Sequence, residues 1–398
     1  MTTISSKYSQ SFITAIDNIL SDSYTDIYLR DDFIQLFHLL DRYMMFDKDK
    51  IWAQFDMHTT RDLFQRRKGI RVLSGLLEIL VNKNILEATN YHFDLHNVEN
   101  SYTRKYKYTD WFLEQTINEE INFKYENISY KFYDRLQKEN IPTKTHLLAQ
   151  YNLIKSDRFK IDLIGASQWL LNRLISNEIT KAQYHIHQRV ILSLDDKIGI
   201  FCVEDEKTGR VFTNFTCMKR ELRKFCTIDG EPLHSFDLKS AQPYLLSSQL
   251  IRNYDYNDVF TFYSTITESD IYNHFSLCSS TYYTRDESKI EFMRYLYKDT
   301  RGSVPYEDIM KEQFPNVHRI VNEMKLDAKR KGENLAIVLQ REESKIFVEG
   351  TKSEISKGAL TVHDSVYFKE SLKGEIEKVL EGVLRDKHNF KYSLKLSL

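Results

Sequence analysis

The chain has 398 residues, of which 41% are hydrophobic and 28% charged, a composition typical of a soluble globular protein with two or three domains. It contains no run of about 18 apolar residues, and its N-terminus lacks the apolar core of a signal peptide. Four scattered cysteines predict neither a zinc site nor a disulfide framework. We therefore expect a cytoplasmic, reduced protein without a membrane span.

The balance of 56 basic against 57 acidic residues does not by itself favour nucleic-acid binding. Such binding depends on a local basic groove more than on total charge, so it would require segregated charges. Glycine and proline are scarce, at 12 and 5, whereas tyrosine and phenylalanine number 25 and 24. This composition predicts long helices with aromatic packing.

Apolar residues recur at helical spacing within 12–20 and 33–40, which predicts two helices in the first 50 residues. Over 56–108 the pattern predicts helices that begin near Thr59 and at 68–80, then strands over 91–95 and 104–108, an order that resembles a winged helix-turn-helix. Phosphate contacts on a duplex would come from Arg61, Arg66, Arg67, Lys68 and Arg71. A solvated helix face in a structural subdomain explains these basic residues equally well.

The next region is again mainly helical by pattern. Helices are predicted over 111–121, 130–138 and around 163–192, followed by a strand over 197–203 and a turn at 208–210 into a second strand. Towards the end of the chain the pattern predicts a helix over 372–384 and a last strand over 392–398.

Apolar alternation over 233–238 predicts a short strand that stops just before a helix over 241–251. Ser240 is a favourable N-cap, and Pro243 falls in the first turn, where a missing N–H costs nothing. Asp237 therefore lies at a strand-to-helix junction, where its carboxylate can leave the packed layer.

Residues 359–368 alternate as two apolar strands around His363, Asp364 and Ser365, and so predict a tight hairpin without an Asn-Gly or Asp-Gly turn. Asp364 is thus also presented at an end of the sheet. Two carboxylates on rigid strands can hold a pair of Mg²⁺ ions, which about 4 Å apart promote in-line phosphoryl transfer. Each aspartate alone is more typical of a cap or a turn, so this prediction depends on the pair.

Between the two aspartates, residues 251–330 have a helical pattern. One helix face would carry Arg285, Lys289, Met293 and Tyr297, which recur every four residues. A guanidinium fork and an ammonium suit the negative charge of a nucleoside triphosphate. An ordinary charged helix is the alternative.

These three stretches resemble motifs A, B and C of the family A DNA polymerases and the related single-subunit RNA polymerases. Motif A would begin at Asp237, motif B would span 285–297, and motif C would be Val362-His-Asp-Ser365. The resemblance covers about residues 205–398. It implies an α+β fold with an antiparallel palm sheet over 201–398, a helical fingers insertion at 251–330, a thumb-like helical region over 116–200 and a mainly helical N-terminal domain over 1–115.

The resemblance also implies roles for individual residues. Two Mg²⁺ ions, or Mn²⁺ in their place, would be bound by Asp237 and Asp364. The nucleotide would be bound by Arg285, Lys289, Met293, Tyr297 and Gln242. Residues 334–348 resemble the palm helix of these enzymes, with Gln340 at the position of its glutamine. The primer and template would be contacted by His363, Gln340, Arg210 and Arg223.

Gln242 stands where family A DNA polymerases have a glutamate that blocks the ribose 2′-hydroxyl. Glutamine is similar in size but can also donate a hydrogen bond to that hydroxyl. Met293 and the His-Asp-Ser form of motif C are similar to the RNA polymerase branch. The sequence therefore leaves the choice of sugar open.

We expect a template-directed nucleotidyltransferase that acts on a nucleic-acid primer-template and nucleoside triphosphates. The favoured form is a minimal DNA polymerase for the replication of a phage or mobile element, without a proofreading exonuclease. One alternative is a primase or RNA polymerase that uses rNTPs. Another is a non-catalytic DNA-binding replication initiator with a degenerate palm.

Overall fold

A computed structural model describes residues 3–46, 52–54, 63–64, 67, 71–89, 104–118, 120–129, 133–134, 141–278, 284–298, 305–388 and 394–397. The chain forms two compact units. Unit 1 comprises Met1–Val203 and Phe212–Pro232, and unit 2 comprises Glu204–Val211 and Leu233–Leu398. The domain limits predicted near residues 115 and 200 stay predictions, because the division into two compact units does not show which part of the chain is a thumb or a palm.

The described part of the chain up to residue 228 mixes helices with short antiparallel strand pairs. Its elements are β1 (Thr3–Ser9), α1 (Gln10–Leu20), α2 (Arg30–Phe46), α3 (Val72–Asn82), β2 (Leu86–Ala88), β3 (Tyr106–Tyr108), α4 (Asp110–Thr116), β4 (Phe123–Ser129), α5 (Thr145–Lys155), β5 (Phe159–Ile161), α6 (Leu163–Ile175), α7 (Lys181–Asp196), β6 (Cys202–Glu204), β7 (Val211–Thr213), α8 (Asn214–Cys217) and β8 (Cys226–Ile228). Antiparallel pairs join β1 to β4, β2 to β3 and β5 to β8.

The core of unit 1 combines aromatic packing with one buried polar cluster. Phe12 contacts Phe37 and Phe112, with ring centroids 5.5 and 5.8 Å apart. The Asp41 carboxylate accepts hydrogen bonds from the Tyr108 hydroxyl at 2.7 Å and pairs with Nε2 of His185 at 2.8 Å. Nε of Arg189 lies 2.9 Å from its other oxygen. This cluster links α2, β3 and α7.

The structure confirms the two helices predicted in the first 50 residues, as α1 and α2, but other limits differ. The helix predicted over 111–121 ends at Thr116, because Ile117 is extended and the chain turns into β4, which pairs with β1. The helical stretch around 163–192 divides into α6 and α7. The strand predicted over 197–203 is reduced to β6, because Lys197 ends α7 with a left-handed φ of 60°.

In the predicted winged helix, residues 68–70 lie outside the described residues, and the described part of the second helix is Val72–Asn82, preceded by an extended Arg71. It is followed by the β2–β3 pair, in which Leu86 lies opposite Tyr108. The strand predicted over 91–95, the helix near Thr59 and nearly all of the helix predicted over 130–138 lie outside the described residues.

Unit 2 is built around an antiparallel sheet. Its elements are β9 (Glu231–Leu238), which starts in unit 1, α9 (Ala241–Asn253), α10 (Asn257–Glu268), α11 (Ile271–Cys278), α12 (Arg285–Tyr297), α13 (Pro305–Gln313), α14 (Pro315–Arg330), α15 (Leu335–Ser344), α16 (Lys352–Gly358), β10 (Ala359–Val362), β11 (Ser365–Lys369), α17 (Lys373–His388) and β12 (Leu394–Ser397). The strand order is β10, β11, β9 and β12. The structure thus confirms the β10–β11 hairpin and the helical character of the described parts of the 251–330 segment.

The helices of this segment enclose an aromatic core. Phe275 stacks on Phe292 with ring centroids 5.0 Å apart, and it meets Tyr306 edge to face at 5.2 Å. Phe262 contacts Phe314 at 5.2 Å. The aromatic packing expected from composition is therefore present in both units. None of the helices in the described ranges is long and apolar enough to cross a membrane.

Candidate functional site

The two aspartates singled out in the sequence lie at one end of the unit 2 sheet. Asp237 on β9 pairs in register with Ser365 of β11, the residue after Asp364, and on its other side with Lys395 of β12. The backbone N–H of Leu238 donates to the carbonyl of Asp364 over 3.3 Å. Both acidic side chains are half-buried. The structure therefore brings these two acids together.

The backbone leaves regular strand geometry beside each acid. Ser240 has a left-handed φ of 50°, and its side chain does not cap α9, which corrects the predicted N-cap role. Burial raises the pKa of the Tyr272 hydroxyl, and the Ser240 side chain acts in the opposite direction by favouring the ionised form of that hydroxyl. His363, which is half-buried, adopts a left-handed φ of 52°. This conformation, which is uncommon for residues other than glycine, lets a two-residue turn join β10 to β11.

Asp364 has the electrostatic surroundings of a shared acidic site. Burial raises the pKa of Asp364, and the nearby Asp237 carboxylate raises this pKa further. The positive charges of Arg210 and Lys289 act in the opposite direction and favour the ionised form. Bound cations would relieve the repulsion between the two carboxylates.

Asp237 and Asp364 fit a hard divalent cation such as Mg²⁺. This ion takes one or two protein carboxylates and completes its octahedral shell with water and substrate phosphate. Within the described ranges, no cluster of three or more His, Cys, Asp or Glu side chains could hold a metal ion. The donor set therefore suits a cation shared with a phosphate substrate.

Of the five residues predicted to bind the nucleotide, Gln242 lies on α9, and the other four lie along one face of α12. This helix starts at Arg285 with a capping box between Thr284 and Glu287. Lys289 is exposed, whereas Met293 and Tyr297 are half-buried. These last three side chains line an open groove of about 1010 Å³ along the helix.

Arg285 is held at the start of α12 by residues at the start of α11. Its Nε donates to the Asp270 carboxylate over 2.9 Å, and its guanidinium lies 5.4 Å from the ring centroid of Tyr272. Burial alone would raise the pKa of Asp270, but the hydrogen bond and charge of Arg285 hold this pKa below its ordinary value. The Arg285 side chain remains 45% exposed and accessible to a ligand.

Glu343 on α15 is a buried acid that the sequence analysis did not single out. It is 1% exposed. Its Oε1 accepts hydrogen bonds from Nε and Nη2 of Arg210 at 2.9 and 2.7 Å, and its Oε2 accepts one from the side-chain amide of Gln242. Burial raises the pKa of Glu343 to about 7, against the opposing charge of Arg210.

One sequence signal could have identified Glu343. It follows Leu335 and Leu339 at four-residue spacing, and all three side chains are buried. A charge in an apolar helix stripe is rare unless it is paired, so it predicts a partner from another element. Arg210 and Gln242 come from distant parts of the chain, however, and only the fold reveals them.

Tyr297 connects the groove on α12 to the acids. Burial raises the pKa of the Tyr297 hydroxyl well above its ordinary value, and the charges of Glu343 and Asp364 raise it further. Arg210 opposes them. The C-terminal end of α12 therefore lies within electrostatic range of Asp364 and Glu343.

The remaining predicted primer and template residues differ in their surroundings. Gln340 is half-buried on α15, one turn before Glu343. Arg223 belongs to unit 1, where it is buried and donates to the carbonyls of Thr216 and Met218 at 3.3 and 3.1 Å. Both hydrogen bonds use Nη2, so the Arg223 guanidinium is anchored inside unit 1.

Two of the basic residues assigned to the possible winged helix can be described. Arg67 pairs with the Asp32 carboxylate through both terminal nitrogens, and one of them also donates to the carbonyl of Ile27 at 2.9 Å. Arg71 is exposed next to the start of α3. Arg61, Arg66 and Lys68 lie outside the described residues. Duplex binding stays a prediction, with Arg67 already engaged inside unit 1.

Neither a protein-family model nor a curated protein matches this chain. Among solved structures, it is similar to the POL domain of Pol1 from M. smegmatis in complex with DNA primer-template and dNTP, with 14% sequence identity and a TM-score of 0.37. The match covers 58% of this chain and 54% of that chain, so the chain spans about half the length of that structure. A likeness of this degree decides neither fold nor function.

Proposed function

We propose that this protein catalyses template-directed nucleotidyl transfer, with Asp237 and Asp364 as its metal-binding acids. One observation carries the proposal. The two acids lie side by side at the end of one sheet, and Lys289 on α12 is close enough to stabilise the charge of Asp364. An acidic pair beside a cationic helix face suits a substrate that carries both a metal-bound phosphate and further negative charge.

The residues of α12 would hold the nucleotide. Lys289 and Arg285 would bind the triphosphate, because an ammonium and a guanidinium neutralise phosphate oxygens. Met293 and Tyr297 would line the groove beside the base and sugar. When bound by Asp237 and Asp364, Mg²⁺ supplies Lewis-acid activation of the primer 3′-hydroxyl and charge neutralisation at the leaving pyrophosphate.

The environment of Gln242 supports deoxyribonucleotides as the substrate class, and hence a minimal DNA polymerase. The Gln242 side chain is only 7% exposed and donates one of its two amide hydrogens to Glu343, which leaves a single buried N–H for a ribose 2′-hydroxyl. Family A DNA polymerases have a glutamate at the position of Gln242. In this protein the Glu343 carboxylate on α15 would take the place of that glutamate. A primase or RNA polymerase is the second candidate, favoured by the uncharged Gln242 itself.

The test is extension of a labelled primer-template in Mg²⁺, with dNTPs and rNTPs supplied separately. Variants Asp237→Asn and Asp364→Asn should lose extension while keeping the wild-type circular dichroism spectrum. The matched control is Asp327→Asn, because Asp327 is an exposed aspartate on α14 that pairs with Arg330 at 3.0 Å. This control should extend the primer at the wild-type rate.

Each outcome has a distinct meaning. Extension with dNTPs supports the DNA polymerase, and extension with rNTPs supports the second candidate. If neither the wild type nor Asp364→Asn forms any product on primed or unprimed templates, the proposed catalysis is refuted. Retained binding of the template would then support a non-catalytic nucleic-acid-binding protein.

A further inference from the structure

We propose that Glu343 is a positioning residue of this site, whose carboxylate orients the Arg210 guanidinium toward a phosphate oxygen of the substrate and fixes the Gln242 amide beside it. This inference rests on the proposed function. It assigns a role to a buried acid that the reaction does not otherwise use.

The hydrogen bonds of Glu343 engage only one edge of Arg210. Nε and Nη2 both donate to the same oxygen, Oε1. No acceptor among the residues that the structure describes reaches Nη1. The Arg210 side chain is 22% exposed, whereas that of Glu343 is 1% exposed. The accessible part of this ion pair is therefore the cation, with an unused edge of the guanidinium.

The second oxygen of Glu343 determines the orientation of Gln242. In its ionised form the Glu343 carboxylate only accepts hydrogen bonds, so in that form the amide NH₂ of Gln242 faces Oε2. The amide oxygen of Gln242 is buried, and no donor from the described part of the chain reaches it. Glu343 therefore holds two side chains at once, each in a defined orientation.

Arg210 also lies within electrostatic range of the acids. Its charge favours the ionised forms of both Asp364 and Tyr297. A guanidinium with a free edge at this position suits an anionic oxygen. The oxygen would belong to a phosphate, either of the triphosphate or of a nucleic-acid strand.

The loop that carries Arg210 is attached to the same helix as Glu343. Nε of Arg341 on α15 donates to the carbonyl of Lys207 over 3.1 Å. Gly209 has a left-handed φ of 71°, and a Cβ atom there would lie 3.3 Å from Cβ of Ser344. Loop 205–210 thus packs closely on the C-terminal end of α15. This attachment would limit the positions that Arg210 can adopt.

A purely structural ion pair makes a different prediction from a positioning residue. Replacing both partners of a buried pair by neutral side chains is often tolerated, whereas removing one partner is costly. The double variant Arg210→Gln/Glu343→Gln should therefore recover stability in either case. It should recover substrate affinity only if the pair has no role in binding.

The experiment compares Glu343→Gln, Arg210→Gln and the double variant with wild type, in Mg²⁺-dependent extension and thermal unfolding. Glu342→Gln is the matched control, because Glu342 is adjacent and half-buried and pairs with Lys345 at 2.6 Å. We expect both single variants to raise the KM for dNTP or the Kd for primer-template about tenfold, with a smaller change in kcat. The double variant should be no weaker than Arg210→Gln, since the two residues act as a unit.

A change confined to KM for dNTP assigns the phosphate to the triphosphate, and one confined to Kd for primer-template assigns it to a strand. Wild-type kinetics in the double variant, or in a folded Glu343→Gln protein, would overturn the inference. If Glu343→Gln does not fold, Arg210→Gln and the double variant still decide the question. Wild type without Mg²⁺-dependent extension would refute the proposed function itself.

Discussion

Asp237 lies directly opposite Ser365, the residue that follows Asp364 in the chain. Because successive strand residues point to opposite faces, a slip of one residue between β9 and β11 would move their whole side-chain pattern to the wrong face. The two-residue turn at His363 and Asp364 sets which residues of β10 and β11 lie opposite each other. The other edge of β11 pairs with β9 in the same sheet. The position of the acidic pair therefore depends on hairpin geometry as much as on the acids themselves.

Replacement of Lys289 by glutamine should weaken triphosphate binding. Its ammonium is exposed on the groove face of α12 and forms no ion pair with any residue that the structure describes. It is therefore available to form an ion pair with a phosphate of the ligand. We expect the KM for the nucleoside triphosphate to rise about tenfold, with kcat changed less. The control Lys311→Gln, on α13, should leave KM unchanged. An unaltered KM in Lys289→Gln would remove α12 from the proposed site.

Asp270→Asn should reduce nucleotide affinity through Arg285. The asparagine keeps an oxygen for the backbone N–H of Tyr272 but removes the charge that anchors Nε of Arg285. The pair is partly exposed, so we expect a two- to fivefold rise in KM, on the order of 1 kcal/mol or less. The same substitution in an Arg285→Gln background should have no further effect. Additive losses would indicate that Asp270 acts independently of Arg285.

Glu343 should give the stability of unit 2 a defined pH dependence. Its pKa is about 7 in the folded protein against an ordinary value of 4.5, so the folded state binds more protons between these pH values. The free energy of unfolding should therefore fall as pH rises from about 4.5 to about 7, by roughly 3 kcal/mol from this group. In Glu343→Gln that part of the slope should be absent.

Urea denaturation followed by far-UV circular dichroism measures this slope. Tryptophan fluorescence would not report on unit 2, since the three tryptophans, Trp52, Trp111 and Trp169, all belong to unit 1. Equal slopes for wild type and Glu343→Gln would mean that Arg210 keeps the Glu343 pKa near its ordinary value.

Asp41→Ala should destabilise unit 1. The substitution removes the partner of Tyr108, His185 and Arg189 and leaves a buried guanidinium without its carboxylate. We expect a loss of about 3–5 kcal/mol in the free energy of unfolding. Tryptophan fluorescence during urea denaturation measures this loss directly. A change below 1 kcal/mol would indicate that water or another acceptor compensates the arginine.

Local pattern was sufficient for much of the fold. Four-residue spacing placed Arg285, Lys289, Met293 and Tyr297 on one helix, and apolar alternation identified both strands of the β10–β11 hairpin. It did not identify β1, whose alternation is mostly polar and whose formation depends on pairing with β4. It also extended a strand over 197–203, where Lys197 adopts a left-handed conformation that composition does not encode.

The sequence by itself determined which residues carry suitable chemistry, because residue type and spacing along one element are local properties. Asp237, Asp364 and the α12 residues were identified in this way. Tertiary structure alone decided that Glu343 meets Arg210 and Gln242, that Asp270 holds Arg285, and that Arg223 is buried in unit 1. Such contacts join residues distant in the chain, and a buried charge finds its partner only when packing excludes water around both.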